Sequence, residues 1–230
     1  MNSIRFTSPN EQSKYVAEEV ARLLDSVIGS RGQALLAVSG GKSPIGLFEI
    51  LRTQSIAWDR VTICLVDERW VPPDHDRSNE KLVRVNLMQE KAATSKFISV
   101  YGAGSTPAEA ANVLSAMFVD SPVLGSGVDV AILGMGDDGH TASWFPRSQE
   151  LGDCLSSSHA YAAVSAEEGR DPRVTMTLSA VAKAKKIILC VEGDVKRAVL
   201  AGAAGAGDVE QYPVRAVLRL SDDQVDIRVA

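Results

Sequence analysis

Short apolar runs alternate with amphipathic stretches along most of the chain. Apolar residues at helical spacing fill residues 11–28, and Gly29 and Gly32 then break this pattern. The predicted strands are the apolar runs at residues 34–38, 61–66, 97–100, 128–133, 161–164, 187–191 and 224–229. Further helices are predicted at about residues 43–53, 78–89, 106–119 and 195–204, with a last short helix that begins at Pro213. Such alternation is typical of an α/β fold in which helices cover both faces of a mostly parallel sheet.

Polar residues mark the predicted starts of three of these helices. Ser43 and Pro44 form an N-cap and first-turn pair, and Ser78 is the predicted cap of the next helix. Thr106 and Glu109 have the spacing of a capping box, in which each residue satisfies a free backbone N–H group of the helix.

Length and composition are those of an ordinary globular protein. The chain has 230 residues, which fit one α/β domain over residues 1–230, without a repeat, a low-complexity tract or a linker. Hydrophobic residues make up 45% of the chain, so a core can form without disulfides. The three cysteines, Cys64, Cys154 and Cys190, have neither disulfide nor zinc-site spacing, and we expect reduced thiols.

Net charge and the N-terminal segment argue against several kinds of partner. The formal net charge of −5 gives no general attraction to nucleic acid or to an anionic membrane. Residues 1–5 are polar, and no apolar run reaches the roughly 20 residues that span a bilayer. We therefore expect a cytoplasmic protein, as a monomer or small homo-oligomer, that concentrates positive charge locally if its ligand is an anion.

Three polar, glycine-containing loops follow the predicted strands that end near Val38, Val66 and Leu133. In parallel sheets, ligands bind beyond the carboxyl ends of the strands. We therefore expect these loops to gather on one rim of the sheet.

The first loop runs Ser39-Gly40-Gly41-Lys42-Ser43 into a predicted helix. Free backbone N–H groups and the positive end of a helix dipole make such a turn suitable for phosphate. The Gly-Lys-Ser ending is that of the nucleoside-triphosphate motif, but Leu36 stands where that motif needs a glycine. The loop therefore indicates phosphate binding rather than nucleotide binding, and a plain strand-to-helix turn is the alternative.

The second loop runs Asp67-Glu68-Arg69-Trp70 directly after an apolar run. Arg69 can hold an anion with its planar, bidentate guanidinium group. Asp67 and Glu68 could orient that arginine or bind a hydroxyl of the substrate. A solvated charge run with a local ion pair is the alternative interpretation.

The third loop matches a dinucleotide-binding pattern in letters, Gly134-x-Gly136-x-x-Gly139, but not in context. That pattern should open a long helix, whereas Pro146 follows closely here. His140 comes directly after the last glycine, and a carboxylate at Asp137 or Asp138 could fix its tautomer for general-base work. The alternative is a structural, hydrogen-bonding histidine.

Residues elsewhere in the chain add positive charge and disfavour a metal. Arg173 follows Asp171-Pro172, and Lys196 lies in the first turn of a predicted helix, where a cation opposes the helix dipole. This placement is a weak indication of phosphate pairing, and a solvated lysine is the alternative. No pair of histidines has the helical spacing of metal ligands, so we expect a site without metal.

Several motifs occur together in the order found in the 6-phosphogluconolactonase family, which the chain resembles over nearly its whole length. They are Ser39-Gly40-Gly41, Asp67-Glu68-Arg69, Gly134-x-Gly136-x-Asp138-Gly139-His140-Thr141-Ala142-Ser143, Phe145-Pro146, Arg173-x-Thr175 and Gly193-x-x-Lys196. The Gly-His-Thr-Ala-Ser stretch is the most specific of them. The resemblance implies a modified Rossmann-like sheet related to the ribose-phosphate isomerase and CoA-transferase group.

Two positions separate this resemblance from glucosamine-6-phosphate deaminase, which belongs to the same superfamily. The deaminase has an aromatic residue where this chain has Arg69, and a catalytic glutamate where it has Phe145. Trp144 departs from the leucine that is usual in the lactonases but keeps its apolar character. The chain therefore resembles the lactonases more than the deaminases.

The resemblance implies hydrolysis of 6-phospho-D-glucono-1,5-lactone to 6-phosphogluconate without a cofactor. His140 is then the general base, oriented by Asp138, and Arg69 contacts either phosphate or the oxyanion. The implied substrate-binding residues are Ser39, Gly40, Gly41, Lys42, Asp67, Glu68, Gly136, Thr141, Arg173 and Lys196. A sugar-phosphate isomerase or deaminase and a non-catalytic sugar-phosphate sensor are the alternative functions.

Overall fold

The computed structural model describes residues 2–121, 124–167 and 169–230. Its strands are β1 (Asn2–Arg5), β2 (Ala34–Val38), β3 (Val61–Leu65), β4 (Asp67–Arg69), β5 (Lys96–Phe97), β6 (Val130–Gly134), β7 (Tyr161–Val164), β8 (Arg173–Met176), β9 (Lys186–Val191) and β10 (Val225–Val229). Its α-helices are α1 (Pro9–Arg31), α2 (Ile45–Leu51), α3 (Asn79–Asn86), α4 (Pro107–Asp120), α5 (Leu151–Ser156), α6 (Leu178–Ala182), α7 (Asp194–Ala204) and α8 (Arg215–Leu218).

Seven strands form one parallel sheet in the order β1-β10-β9-β6-β2-β3-β5. Every residue of β2 and of β10 is buried. Because successive side chains of a strand point to opposite faces, both faces of the sheet are covered at these strands. The predicted α/β class and the mostly parallel sheet are confirmed.

A second, antiparallel sheet of three strands, in the order β4-β8-β7, was not predicted. Residues 67–69 were expected to be a loop, because three consecutive charged residues do not show the apolar pattern that predicts a strand. Val66 joins the two sheets: its N–H donates to Val38 O at 2.9 Å, and its carbonyl accepts from Met176 N at 2.7 Å. The chain therefore passes directly from the large sheet to the small one beside the predicted rim.

The predicted helix starts are confirmed at Ser78 and wrong at Ser43. The Ser78 hydroxyl accepts from Lys81 N at 3.2 Å and caps α3. Ser43 does not cap α2, which begins only at Ile45, with Pro44 as its N-cap and without a side-chain cap hydrogen bond.

The start of α4 follows the predicted capping box with one change. Thr106 Oγ1 accepts from Glu109 N at 3.2 Å, as expected. The Glu109 carboxylate accepts from Ser105 N at 2.8 Å, one residue before the cap itself. Among the described residues, no helix combines the length and the apolar composition that crossing a membrane requires.

Candidate active site

The three predicted loops meet at one edge of the large sheet, as expected. Strands β3, β2 and β6 are neighbours and run parallel, so their carboxyl ends lie side by side. Most of the predicted site residues line one cavity there: Ser39, Gly40, Gly41, Lys42, Asp67, Arg69, Gly136, His140, Arg173 and Lys196. Four cationic side chains thus face a single cavity of an acidic protein, which supplies the local positive charge that an anionic ligand needs.

His140 and Asp138 form a hydrogen-bonded pair at this cavity. Asp138 Oδ1 lies 2.6 Å from His140 Nδ1 and also accepts from the His140 backbone N–H at 3.0 Å. Partial burial alone would raise the pKa of Asp138, but the hydrogen bonds and charge of His140 outweigh it and lower the pKa to about 2. An ionised carboxylate only accepts, so Nδ1 carries a proton and Nε2 is left free to act as a base.

The glycines of the third loop make room for this pair. A Cβ on Gly136 would lie 2.2 Å from His140 Nδ1 and 2.8 Å from Asp138 Oδ1. The Gly136 N–H donates to the His140 carbonyl at 2.8 Å, which closes the turn. Gly139 has a φ of 81°, a left-handed conformation that favours glycine. The local sequence therefore places the imidazole against its own loop.

Phe145 packs against the His140 ring, with 4.8 Å between the ring centroids and 51° between the ring planes. The guanidinium of Arg170 lies 4.0 Å from the centroid of Phe145, and that of Arg173 lies 5.4 Å from it. The imidazole thus contacts both the Asp138 carboxylate and an aromatic ring. Sequence analysis did not identify Arg170.

Asp67 connects the second and third loops at the wall of the cavity. Its Oδ2 accepts from Ser143 Oγ at 2.6 Å and lies 3.4 Å from Arg173 Nη1. Arg69 on β4 and Arg173 on β8 are partners across the small sheet, so their guanidinium groups share one wall of the cavity. The small sheet therefore carries two of the four cationic side chains that line the cavity.

The first loop presents its backbone to the cavity. In the part of the chain that the structure describes, no hydrogen bond is formed by the N–H groups of Gly40, Gly41 or Lys42. Gly40 packs so closely on Asn79 that a Cβ would lie 1.9 Å from Asn79 Oδ1. These donors, with Lys42 and Lys196, make this end of the cavity suitable for a phosphate group.

Comparison with known proteins identifies the family of this chain. Residues 7–226 match the family model described as glucosamine-6-phosphate isomerases/6-phosphogluconolactonase. The chain belongs to this family. A 6-phosphogluconolactonase of Rhizobium meliloti (strain 1021) is 39% identical over 224 residues, which are 96% of this chain and 95% of that protein. The crystal structure of a 6-phosphogluconolactonase from Shewanella baltica OS155 is 36% identical, with a TM-score of 0.94, over 100% of this chain and 97% of the other.

Two predicted substrate-binding residues of this family member do not line the cavity. Thr141 is fully buried, and its hydroxyl donates to Gly134 O at 2.8 Å, which holds the third loop closed. Glu68 is turned toward α3 and is 1% exposed. Its carboxylate accepts from the backbone N–H groups of Arg69, Asn79 and Glu80 and from the Ser78 hydroxyl, at 2.7–2.9 Å.

Glu68→Gln is expected to lower the free energy of unfolding by about 2–4 kcal/mol, because an amide N–H₂ would face backbone N–H donors in a buried position. Thermal and urea unfolding of the variant would measure this. Glu109→Gln is the control, since Glu109 is an exposed acceptor at the start of α4, and its loss should stay below about 1 kcal/mol. Equal losses for both variants would contradict a buried capping role for Glu68.

The cavity also contains polar residues that sequence analysis missed. Gln12 and Ser13 come from α1, Asn79 from α3, and Glu192 follows β9. For Asn79 alone the sequence holds a related signal, the glycine at position 40, because Asn79 packs where a side chain at that position would lie. The sequence has no such signal for Gln12, Ser13 or Glu192.

The cysteines and the acidic groups give no indication of further chemistry. All three cysteines are free, and burial raises the pKa of each thiol to about 12, so they are unreactive at neutral pH. Within residues 2–121, 124–167 and 169–230, no group of three or more His, Cys, Asp or Glu side chains is placed to hold a metal ion.

Proposed function

We propose that this chain hydrolyses 6-phospho-D-glucono-1,5-lactone to 6-phosphogluconate, the product of lactone ring opening in the oxidative pentose phosphate pathway. The observation that carries the proposal is the Asp138–His140 pair, with its Nδ1···Oδ1 distance of 2.6 Å, in a cavity lined by Lys42, Arg69, Arg173 and Lys196. Names of relatives in the family, at up to 40% identity over most of the chain, support the same reaction.

The substrate has two features that this cavity suits. Its phosphate is a dianion, and cations together with free backbone N–H groups surround one end of the cavity. Its C1 carbonyl needs a base that activates water. The phosphate is remote from the reacting carbonyl, and its binding would hold this carbonyl near His140. The binding energy of the phosphate would thus be used to orient the reacting atoms.

In the proposed mechanism, Nε2 of His140 accepts a proton from a water molecule as the water oxygen attacks C1. A tetrahedral intermediate with a negative oxygen forms, and Arg69, which lines the cavity, would stabilise that charge. The intermediate collapses as the bond from C1 to the ring oxygen breaks, and the imidazolium gives its proton to that oxygen. Asp138 stabilises the imidazolium and keeps Nδ1 protonated throughout.

Phosphate would be held by the backbone of Gly40, Gly41 and Lys42 with the side chains of Arg173 and Lys196. Phe145, where a deaminase needs a carboxylate, instead packs on the His140 ring. An apolar ring there cannot transfer protons at a neighbouring carbon. This observation disfavours the isomerase or deaminase alternative.

Freshly prepared 6-phosphogluconolactone is the substrate that tests the proposal, with spontaneous hydrolysis measured in parallel. We expect turnover of about 10–10³ per second, as is typical of enzymes. A rate equal to the spontaneous background would overturn the proposed reaction. A glucosamine-6-phosphate deaminase assay and a binding screen with sugar phosphates would then separate the two alternatives.

A further inference from the structure

Glu192 is a carboxylate in the part of the cavity where cations and free N–H groups favour an anion. It follows the last residue of β9 and precedes Gly193, whose φ of 90° turns the chain into α7. Glu192 lines the cavity of the candidate active site and also a second, more open cleft between the first loop and α1, called here the outer cleft. The proposed mechanism assigns it no role.

The surroundings of Glu192 make it a constituent of the anion site. The Ser43 hydroxyl and the charge of Lys196 both favour the ionised form of its carboxylate. Lys42 lines both the cavity and the outer cleft with it. A phosphate bound to the first loop and to Lys196 would therefore lie beside this carboxylate.

The groups nearest to Glu192 in the chain and in the outer cleft do not add a second negative charge to the cavity. Asn10 and Ser13 of α1, which line the outer cleft, are uncharged. The Cys190 thiol is neutral, because burial raises its pKa to about 12. The side chain of Asp194 is 93% exposed and pairs with Arg197. The remaining titratable side chains of the cavity are Asp67, Arg69, His140 and Arg173, which come from the second and third loops and from β8.

We propose that Glu192 couples phosphate binding to protonation, so that phosphorylated ligands bind more tightly when this carboxyl is neutral. Two like charges in one half-buried site repel each other, and protonation of the carboxyl removes the repulsion. In the empty site, the ionised Glu192 offsets the charge of Lys42 and Lys196. Simple anions are then bound weakly, while a ligand with further contacts to the cavity still binds. The proposal rests on the proposed function only in placing a phosphate at this end.

The direction of the pH dependence follows from the carboxyl. Burial raises the pKa of Glu192 above its usual 4.5, and the Ser43 hydroxyl and Lys196 act in the opposite direction. As pH rises through this pKa, Glu192 becomes ionised and the dissociation constant of a phosphate ligand increases. The second ionisation of the phosphate itself, near pH 6, occurs in every variant and cancels in a ratio of dissociation constants.

The test is calorimetric binding of 6-phosphogluconate and of inorganic phosphate from about pH 5 to about pH 8.5, to the wild type and to Glu192→Gln. Near pH 8 we expect Glu192→Gln to bind both ligands about tenfold more tightly than the wild type. The difference should shrink as pH falls toward 5. Buffers of different ionisation enthalpy should show proton uptake on binding by the wild type that Glu192→Gln lacks.

Asp194→Asn is the matched control, because it neutralises a neighbouring carboxylate that does not line the cavity. Its dissociation constants should stay within about twofold of those of the wild type. Equal or weaker binding by Glu192→Gln at every pH would overturn the proposal. Equal binding would mean that the carboxylate does not affect the affinity for the ligand, and weaker binding would mean that it forms a favourable contact with the ligand.

A second variant keeps the proposal testable if Glu192→Gln does not fold. Ser43→Ala removes a hydroxyl that favours the ionised carboxylate, so the pH at which affinity falls should move upward. A downward shift, or none, would overturn the proposal. Lactone turnover distinguishes a failure of this proposal from a failure of the proposed function. If the wild type shows no turnover but the ratio of dissociation constants still depends on pH, the proposed reaction is wrong and the role of Glu192 stands.

Discussion

His140→Ala is expected to lower kcat for 6-phosphogluconolactone by about 10²–10⁴-fold, the usual contribution of a positioned acid–base group. The variant retains every cation of the cavity and the free N–H groups of the first loop. We therefore expect KM to change little, because the phosphate contacts remain. Stopped-flow or coupled measurement of lactone decay, corrected for spontaneous hydrolysis, would give both constants.

His159→Ala is the matched control for this experiment. His159 is exposed and forms hydrogen bonds through its backbone carbonyl, to Thr177 and Ser179, which an alanine preserves. Its kcat should stay within about twofold of the wild type. Retention of wild-type kcat by a folded His140→Ala variant would show that another group activates the water, even if the chain is a lactonase.

The sequence could predict the five inner strands of the large sheet because they are buried on both faces, whereas the edge strand β1 is mostly exposed and was not predicted. Runs such as Ala34–Val38 are then continuously apolar, a pattern that needs no tertiary information. The small sheet lacks this pattern, since β4 consists of Asp67, Glu68 and Arg69. Its strand conformation comes from pairing with β8, which lies more than 100 residues further along the chain.

The wrong prediction that Glu68 binds substrate in the cavity has the same cause. Alternate residues of a strand point to opposite sides, so Asp67 and Arg69 reach the cavity while Glu68 turns to α3. Read as a loop, the three charged residues looked equivalent. Had β4 been recognised as a strand, alternation alone would have separated Glu68 from its neighbours.

Motif residues on the first and third loops were easier to place, because both segments are loops in the structure, as predicted, whereas the second is the strand β4. The surroundings of those residues were not predictable. Asn79 and Glu192 reach the cavity from α3 and from the end of β9, and their positions depend on how these elements pack on the loops. Such contacts connect distant segments and leave no periodic pattern in the sequence.

Gly136→Ala is expected to lower kcat by about 100-fold while the fold persists, because the new methyl group occupies the space of the His140 ring. A Cβ at this position would lie 2.2 Å from both Cε1 and Nδ1 of His140 and 2.8 Å from Asp138 Oδ1. Phe145 also contacts the imidazole, with 4.8 Å between the ring centroids, so we expect a ring displaced by the methyl group to lose its bond to Asp138. The imidazole would then lose the partner that fixes its tautomer.

Gly134→Ala separates this effect from a general sensitivity of the third loop. A Cβ on Gly134 meets no protein atom within 4 Å, although Gly134 lines the same cavity. We expect a kcat within about threefold of the wild type and at most a modest rise in KM, since an added methyl group can only narrow the cavity. Thermal unfolding of both variants controls for stability. If Gly136→Ala kept wild-type kcat, the Asp138–His140 geometry would not be required for turnover, and His140 would act without a fixed partner.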